Sequence, residues 1–345
     1  MWNALMWAQK NLVWSIPAAM LAGLLFGVAA DPAFLRAAIL PLTFLMVYPM
    51  MVSLDLRQLL GRGGSGLQAT TLAINFALLP AIGYGAGLLF FPEQPMLRLA
   101  LLLTALLPTS GMTISWTGFA KGNVPAAVKM TVLGLVAGSL LAPLYLKGLL
   151  GAVVEIPVLQ VSAQIALIVF LPLALGHLTR RRLVARHGEA AFKQRLAPRF
   201  PPFSTLGVLG IVFVSMALKS RDLLAQPAML PGLLLPLLAV YALNFALSTL
   251  IGKVFFRRGD AIALVYGTVM RNLSIALAIA MGVFGARGAE AALLIALAYI
   301  VQVQAAAWYV RLTDRLFGPP PAVAPDRECS SPPESSRSTR STSTA

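Results

Sequence analysis

Apolar runs of about 20 residues, the length that lets a helix cross a hydrocarbon layer of roughly 30 Å, recur along most of the chain. Short breaks with charged residues, proline or glycine separate these runs. The pattern predicts an all-α polytopic membrane protein with about ten transmembrane helices. The predicted spans are 10–30, 34–54, 66–91, 97–118, 124–150, 159–178, 203–219, 229–252, 260–284 and 288–312.

Composition supports the same class of protein. Hydrophobic residues make up 58% of the chain and charged residues 11%, against about 45–50% and about 25% in soluble domains. The net charge of +15 does not indicate nucleic-acid binding, because most lysines and arginines fall in short loops between apolar runs. We expect the lipid bilayer as the surroundings, no nucleic-acid partner, an inner (plasma) membrane location and both termini in the cytoplasm.

Two short motifs suggest that the halves of the chain are related. The sequence Asn-Phe-Ala-Leu begins at Asn75 in the third span and at Asn244 in the eighth. A repeat of five helices inverts topology, so the pattern predicts a five-plus-five inverted repeat with its binding site at the repeat interface. Chance similarity in low-diversity apolar sequence is the alternative.

The predicted organisation has four parts. The first transmembrane repeat occupies 1–178, although the helix at about 159–178 belongs to the second repeat. A basic cytoplasmic connecting loop covers 179–202, and the rest of the second repeat covers 203–316. Residues 317–345 are rich in proline, serine and threonine and predict a disordered polar tail.

The fourth span contains a proline and a glycine, Pro108 and Gly111, that favour a local interruption of the helix. Ser110 lies between them, and three threonines in this span are spaced at intervals of four residues: Thr109, Thr113 and Thr117. This spacing predicts one polar face that could line a binding pocket. The alternative is a proline kink whose hydroxyls bond back to their own helix.

The ninth span carries Arg271, followed by Asn272 and Ser274, far from either end of its helix. An arginine at such depth costs roughly 2.5–3.5 kcal/mol on insertion scales, so something must offset its charge. Every carboxylate in the sequence lies near a predicted helix end or outside the spans. Arg271 is therefore interpreted either as attracting an anionic substrate or as binding the carbonyls of a broken helix.

Lys129 and the membrane amides leave two interpretations open. Lys129, early in the fifth span, is either an interfacial anchor or a buried functional charge. Asn75, Asn244 and Gln302 are interpreted mainly as interhelical hydrogen-bonding groups.

Several functional classes are excluded by the residues present. The sole cysteine, Cys329, lies in the tail, and the two histidines, His177 and His187, flank one basic segment, which leaves neither a disulfide framework nor a metal cluster. No Walker loop, GxSxG or HExxH motif occurs. We expect no enzymatic activity and no cofactor, and the sequence leaves sodium and proton coupling open.

The segments Pro108–Thr113, Phe119–Asn123 and Met270–Asn272 together resemble the bile acid:sodium symporter superfamily, which includes the arsenical-resistance permeases. The resemblance covers roughly residues 10–316. It implies ten helices in a five-helix inverted repeat, with a panel and a core domain. It further implies fourth and ninth helices that are discontinuous and cross at their unwound centres to form the binding site.

The chain departs from that family pattern at the ion sites. Sodium-coupled members have a Ser-Asn pair in the fourth helix and a glutamate followed by Gln-Asn in the ninth. The matching positions here are Thr113-Ile114, Gly267 and Arg271-Asn272. We therefore hypothesise that the fixed charge of Arg271 does the electrostatic work of a bound cation, and that Lys129 does so near the second site.

The resemblance leads to a secondary active transporter of a small organic anion as the expected function. The expected binding residues are Thr109, Ser110, Gly111, Thr113, Arg271, Asn272 and Ser274, with Arg271 and Lys129 as candidates for charge coupling. An arsenite or antimonite efflux permease is the alternative, although such permeases carry a cysteine and a glutamate where this chain has Thr109 and Ile275. A membrane receptor or scaffold without transport is a more distant alternative.

Overall fold

A computed structural model describes residues 2–53, 64–152, 154, 156–225 and 229–319. Within these residues the chain forms α-helices, short π and 3₁₀ segments, and an isolated antiparallel bridge. The predicted disordered tail falls mainly on residues 320–345, which lie outside the described residues.

The helices follow one another with short connections. In the first half they are α1 (Trp2–Lys10), α2 (Leu12–Ala29), α3 (Ile39–Ser53, after the 3₁₀ segment Pro32–Ala38), α4 (Ser65–Ala73), α5 (Leu79–Phe90), α6 (Pro95–Leu106), α7 (Gly111–Phe119) and α8 (Val124–Leu150). In the second half they are α9 (Val158–Ile165), α10 (Leu171–His187), α11 (Glu189–Ala191), α12 (Pro201–Ala225), α13 (Met229–Phe255), α14 (Arg258–Val269) and α15 (Leu273–Phe317). The π segment Ile74–Leu78 joins α4 to α5, and the π segment Ala166–Phe170 joins α9 to α10.

Seven helical segments of the described chain are long and apolar enough to cross a membrane, which confirms an all-α polytopic membrane protein. Helical structure also lies at the other predicted spans, as the shorter apolar helix Trp14–Ala29 and as two helices that are interrupted near their centres. The long helix α15 breaks at Gly285, whose φ of 56° favours glycine. The boundary predicted between the ninth and tenth spans falls at this break.

Close helix contacts form two groups of described helices, and α15 contacts both. In the first group, α12 packs on α2 and α3, and α10 packs on α3. Glycine permits this approach, because a Cβ on Gly27 would lie 2.2 Å from the carbonyl oxygen of Ala217. The second group contains α4 to α8 and α13 to α15, and the long helix α15 also packs on α12, α2 and α3.

The segment predicted as a loop at 179–202 is mostly helical, so that part of the prediction is wrong. Helix α10 extends to His187, and helical turns continue from Glu189 after a break at Gly188. Its arginine, leucine and alanine residues favour helix. Glu189 also accepts from Arg180 at 2.7 Å and from Lys193 at 3.2 Å, which ties the two helical pieces together.

Arg258 joins the ends of three helices in the second group. Its guanidinium donates to the carbonyl oxygen of Lys121 just after α7, at 2.9 Å. It also donates to the carbonyl oxygen of Gly318 at 2.8 Å and pairs with Asp314 at 2.6 Å, both at the end of α15. Charged donors are well suited to helix C-termini, so this arginine fastens α7 and α15 to the start of α14.

Candidate functional site

The two helices predicted to be discontinuous are both interrupted. Helix α6 ends at Leu106, and α7 begins at Gly111. Helix α14 ends at Val269, and α15 begins at Leu273. The second break lies just beyond Gly267, which itself remains helical.

The two interruptions lie against each other. Pro108 and Arg271 form an antiparallel bridge, and the amide of Asn272 donates to the carbonyl oxygen of Leu107 at 2.9 Å. Backbone outside a helix must find internal hydrogen bonds at membrane depth. Each interrupted segment therefore provides hydrogen-bond partners for the main chain of the other. The two breaks meet at one point. We call Leu107–Ser110 together with Met270–Asn272 the crossover.

Polar side chains at the crossover, and in the first turn after it, cap the N-termini of the two helices that follow. The Ser110 hydroxyl accepts from the amide of Met112 at 3.3 Å, and the Thr113 hydroxyl accepts from the amide of Ser110 at 3.3 Å, which forms a capping box. Asn272 caps α15 by accepting from the amide of Ile275 at 3.3 Å. The interpretation that such hydroxyls bond to their own helix is correct for Ser110 and Thr113.

Thr109 does not extend the polar face of α7, so the predicted alignment of three threonines is wrong at this position. Its φ is 55°, a left-handed value that is unfavourable for a β-branched residue, and it lies before the helix begins. Its hydroxyl donates to the carbonyl oxygen of Thr131 in α8 at 3.2 Å. Gly134 and Gly138 of α8 make room for this turn, since added Cβ atoms would lie 2.6 Å from the Thr109 hydroxyl and 2.8 Å from Pro108 Cδ.

Arg271 is buried, with 3% of its surface exposed, and its guanidinium faces oxygen atoms of the protein. It donates to the carbonyl oxygens of Thr104 at 3.0 Å and Thr268 at 2.9 Å, and to Ala105. It also donates to Asn75 Oδ1 at 2.5 Å. Of the two interpretations given to this arginine, these contacts fit the one in which it binds the carbonyls of broken helices.

Amide side chains from other helices hold this arrangement. The predicted interhelical role of the two repeated asparagines is confirmed: Asn75 Nδ2 donates to Gly267 O at 3.0 Å, and Asn244 Nδ2 donates to Thr268 O at 3.1 Å. Gln302 Oε1 accepts from the amide of Arg271 at 2.7 Å, and its Nε2 donates to the Arg271 carbonyl at 3.3 Å. Both asparagines therefore hold the end of α14.

Sequence reasoning missed three polar groups next to Arg271. Thr104 and Thr268 contribute only main-chain oxygens here, which no side-chain pattern reveals. Tyr241 donates to Gln302 Oε1 at 2.9 Å from α13. The sequence signal that could identify Tyr241 is its position shortly before Asn244, the first residue of the repeated motif. A small cavity adjoins the guanidinium and is lined by Leu79, Thr104, Ala105, Val240, Tyr241, Asn244 and Arg271.

The remaining predicted residues take different positions. Ser274 is buried in the first turn of α15, and its hydroxyl bonds to Tyr299. Lys129 lies on α8, partly exposed, near the turn that receives Thr109. Gly111 is the first residue of α7. Among the described residues, no group of three or more His, Cys, Asp or Glu side chains could hold a metal ion.

The crossover contains a buried polar atom that has no partner among the described residues. Asn272 is 2% exposed, and its Nδ2 atom has no hydrogen-bond acceptor among the described residues. Such an orphan donor is costly in an apolar interior and is suited to a bound acceptor. It lies where two helices begin, so it shares its surroundings with helix N-terminal amides.

Comparisons with known proteins point to one family of transporters. The family model described as Sodium Bile acid symporter family matches residues 40–227. The arsenical-resistance protein Acr3 of Corynebacterium glutamicum is 24% identical over 65% of this chain and 64% of its own length. The uncharacterized proteins YbaS of Bacillus subtilis and PA2026 of Pseudomonas aeruginosa are 25% and 27% identical, over 62% and 63% of this chain and 68% and 66% of their own lengths. The match thus covers about two thirds of the length of each relative. For Acr3 the covered share, 64%, is slightly below two thirds.

Proposed function

Because this chain belongs to the Sodium Bile acid symporter family, we propose that it is a secondary active transporter that moves a small organic anion across the membrane. The observation that carries the proposal is the crossing of two interrupted helices at the bridge between Pro108 and Arg271. Discontinuous helices that meet inside an apolar bundle are typical of substrate sites in secondary transporters. The proposal assigns the chain neither enzymatic activity nor a cofactor.

An anion is the favoured substrate because two helices begin at the crossover. The N-termini of α7 and α15 each present a partial positive charge of roughly one half, and Asn272 Nδ2 adds an unpaired donor. The proposed binding residues are Thr109, Ser110, Gly111, Thr113, Arg271, Asn272 and Ser274. Arg271 belongs to this set because its main chain forms the bridge to Pro108, whereas its guanidinium already makes four hydrogen bonds to protein oxygens.

The proposed topology has ten membrane crossings in a five-plus-five inverted repeat. Two further observations support it: the interrupted helices occupy corresponding places in the halves, and an asparagine of the same motif reaches α14 from each half. The proposal also has both termini in the cytoplasm, supported by the distribution of lysines and arginines among the loops, and the plasma membrane as the location. Lys129 remains a second candidate for charge coupling.

A metalloid efflux permease is the second candidate, and the similarity to Acr3 favours it. Arsenite prefers thiolate ligands, and the sole cysteine of the sequence, Cys329, comes after α15 in the sequence and far from the residues of the crossover. Neither Thr109 nor Ile275 offers a soft ligand at the crossover. The organic anion is therefore the preferred substrate class.

Ligand-induced stabilisation of the purified protein in detergent tests the proposal. We expect one class of small organic anions to raise the melting temperature by mass action, equally in sodium and choline salts. Arsenite and antimonite are the comparison ligands. A shift with a metalloid and with no organic anion would favour the second candidate and contradict the first.

A matched pair of variants sharpens this test. Asn272→Asp keeps the oxygen that caps α15, removes the Nδ2 donor and adds negative charge, so we expect it to abolish the anion shift. Gln94→Glu makes the same chemical change at an exposed position before α6 and should retain the shift. If both variants lost the anion-induced melting shift equally, net charge, and not the crossover, would determine binding.

A further inference from the structure

We propose that Arg271 is a tethered counter-cation for the C-terminal ends of α6 and α14, and that the oxygen atoms around it would bind a small monovalent cation if the guanidinium were removed. The inference deepens the proposed function, since it concerns the ion requirement of the same crossover. Its test measures protein stability and needs no knowledge of the transported anion.

The oxygen atoms around the guanidinium come from three separate segments. Thr104 and Ala105 are among the last residues of α6, and Thr268 is one residue from the end of α14. Asn75 Oδ1 supplies the fourth oxygen, from the π segment between α4 and α5. We call these four atoms the oxygen cage. None of them belongs to a carboxylate, so no full negative charge balances Arg271 among its hydrogen-bond partners.

Helix ends provide the compensating charge. The C-terminus of a helix carries a partial charge of roughly −0.5, so two such ends together approach one elementary negative charge. Carbonyl oxygens in the last turn also lack partners within their own helix. The single positive charge of Arg271 therefore matches what the two ends present, at a depth where solvent cannot supply an ion.

The cage is held by contacts that do not involve the guanidinium. Asn75 Nδ2 donates to Gly267 O at 3.0 Å, which turns its Oδ1 toward Arg271. Asn244 Nδ2 donates to Thr268 O at 3.1 Å. Gln302 holds the main chain of Arg271 through both its amide and its carbonyl. Shortening the Arg271 side chain should therefore leave the cage oxygens close to their present positions.

The chemistry of the vacated cage indicates its ligand. Carbonyl and amide oxygens are hard donors, which suit alkali cations and not soft metals. A glutamine at position 271 would be shorter and neutral and would add one more oxygen acceptor. In the unaltered protein the tethered charge cannot be released, so the crossover should keep its arrangement without any dissolved cation.

Thermal melting of the purified protein in lithium, sodium, potassium and choline chlorides at equal ionic strength tests the inference. We expect the unaltered protein to melt at one temperature in all four salts. Arg271→Gln should lose several degrees in choline and regain at least half of that loss in one alkali salt. Arg98→Gln is the matched control, because Arg98 donates to a single carbonyl, Phe91 O, at 2.7 Å, outside any such cage; its melting should ignore the cation.

Two results would overturn the inference. One is selective stabilisation of the unaltered protein by sodium, and the other is an Arg271→Gln variant whose melting is the same in all four salts. If that variant cannot be purified, Arg271→Lys decides: it keeps the charge and should fold in choline, and its failure to do so would contradict a role based on charge. Absence of any stabilising anion would contradict the proposed function and leave these melting results unaffected.

Discussion

Replacing Asn75 by leucine should destabilise the protein by roughly 2–4 kcal/mol, because it removes two buried hydrogen bonds at once. Asn75 accepts from Arg271 and donates to Gly267, and it is 1% exposed. A bond to a charged group contributes about 1.5–3 kcal/mol, and a neutral interhelical bond in a membrane protein averages about 0.6 kcal/mol. Leucine fills a similar volume, so the loss comes from polar groups left without partners. Thermal or denaturant unfolding in detergent measures it.

Asn75→Asp separates the two contributions. A carboxylate still accepts from Arg271 and cannot donate to Gly267 O. Its loss of stability should therefore be much smaller than that of Asn75→Leu. Equal losses in the two variants would contradict the assignment of the larger share to the bond with Arg271.

Gly138→Ala should cost about 1–3 kcal/mol and reduce transport, because overpacking displaces rigid neighbours. The added Cβ would lie 2.8 Å from Cδ of Pro108. A proline ring at an interruption has little freedom to move, so the strain should pass directly to the crossover. Uptake of the transported anion by cells, normalised to the amount of folded protein, is the informative measurement.

Gly148→Ala provides the control in the same helix, because nothing lies within 4 Å of the added carbon. Alanine is also the better helix former, so this variant should match or slightly exceed the stability of the parent. If both glycine variants transported equally well, close packing of α8 on Pro108 would be irrelevant to function.

Hydropathy and local breaking residues were enough to predict the helices and the first interruption. The thickness of the hydrocarbon layer sets the length of an apolar run that can cross it, whatever the rest of the fold. Helical structure therefore lies at the predicted spans. Pro108 breaks a helix through its own geometry, whatever surrounds it. The repeated asparagines, Asn75 and Asn244, were also informative, because a buried amide in an apolar helix must bond to another helix.

Other features depend on contacts between residues far apart in the sequence. The direction of the Arg271 side chain follows from where α6 and Asn75 place their oxygens, and no local pattern contains that information. The left-handed turn at Thr109 similarly depends on the space left by Gly134. In the basic segment, the pairing of Arg180 with Glu189 stabilises helix where charge density alone suggested a loop.

Uptake of the stabilising anion into vesicles that contain the purified protein would test the central proposal most directly. The crossover account predicts uptake above that of empty vesicles, at the same rate in sodium and choline media, and its loss in Asn272→Asp. Uptake that requires sodium would contradict the role given to Arg271. No uptake of any anion that stabilises the protein would contradict transport itself.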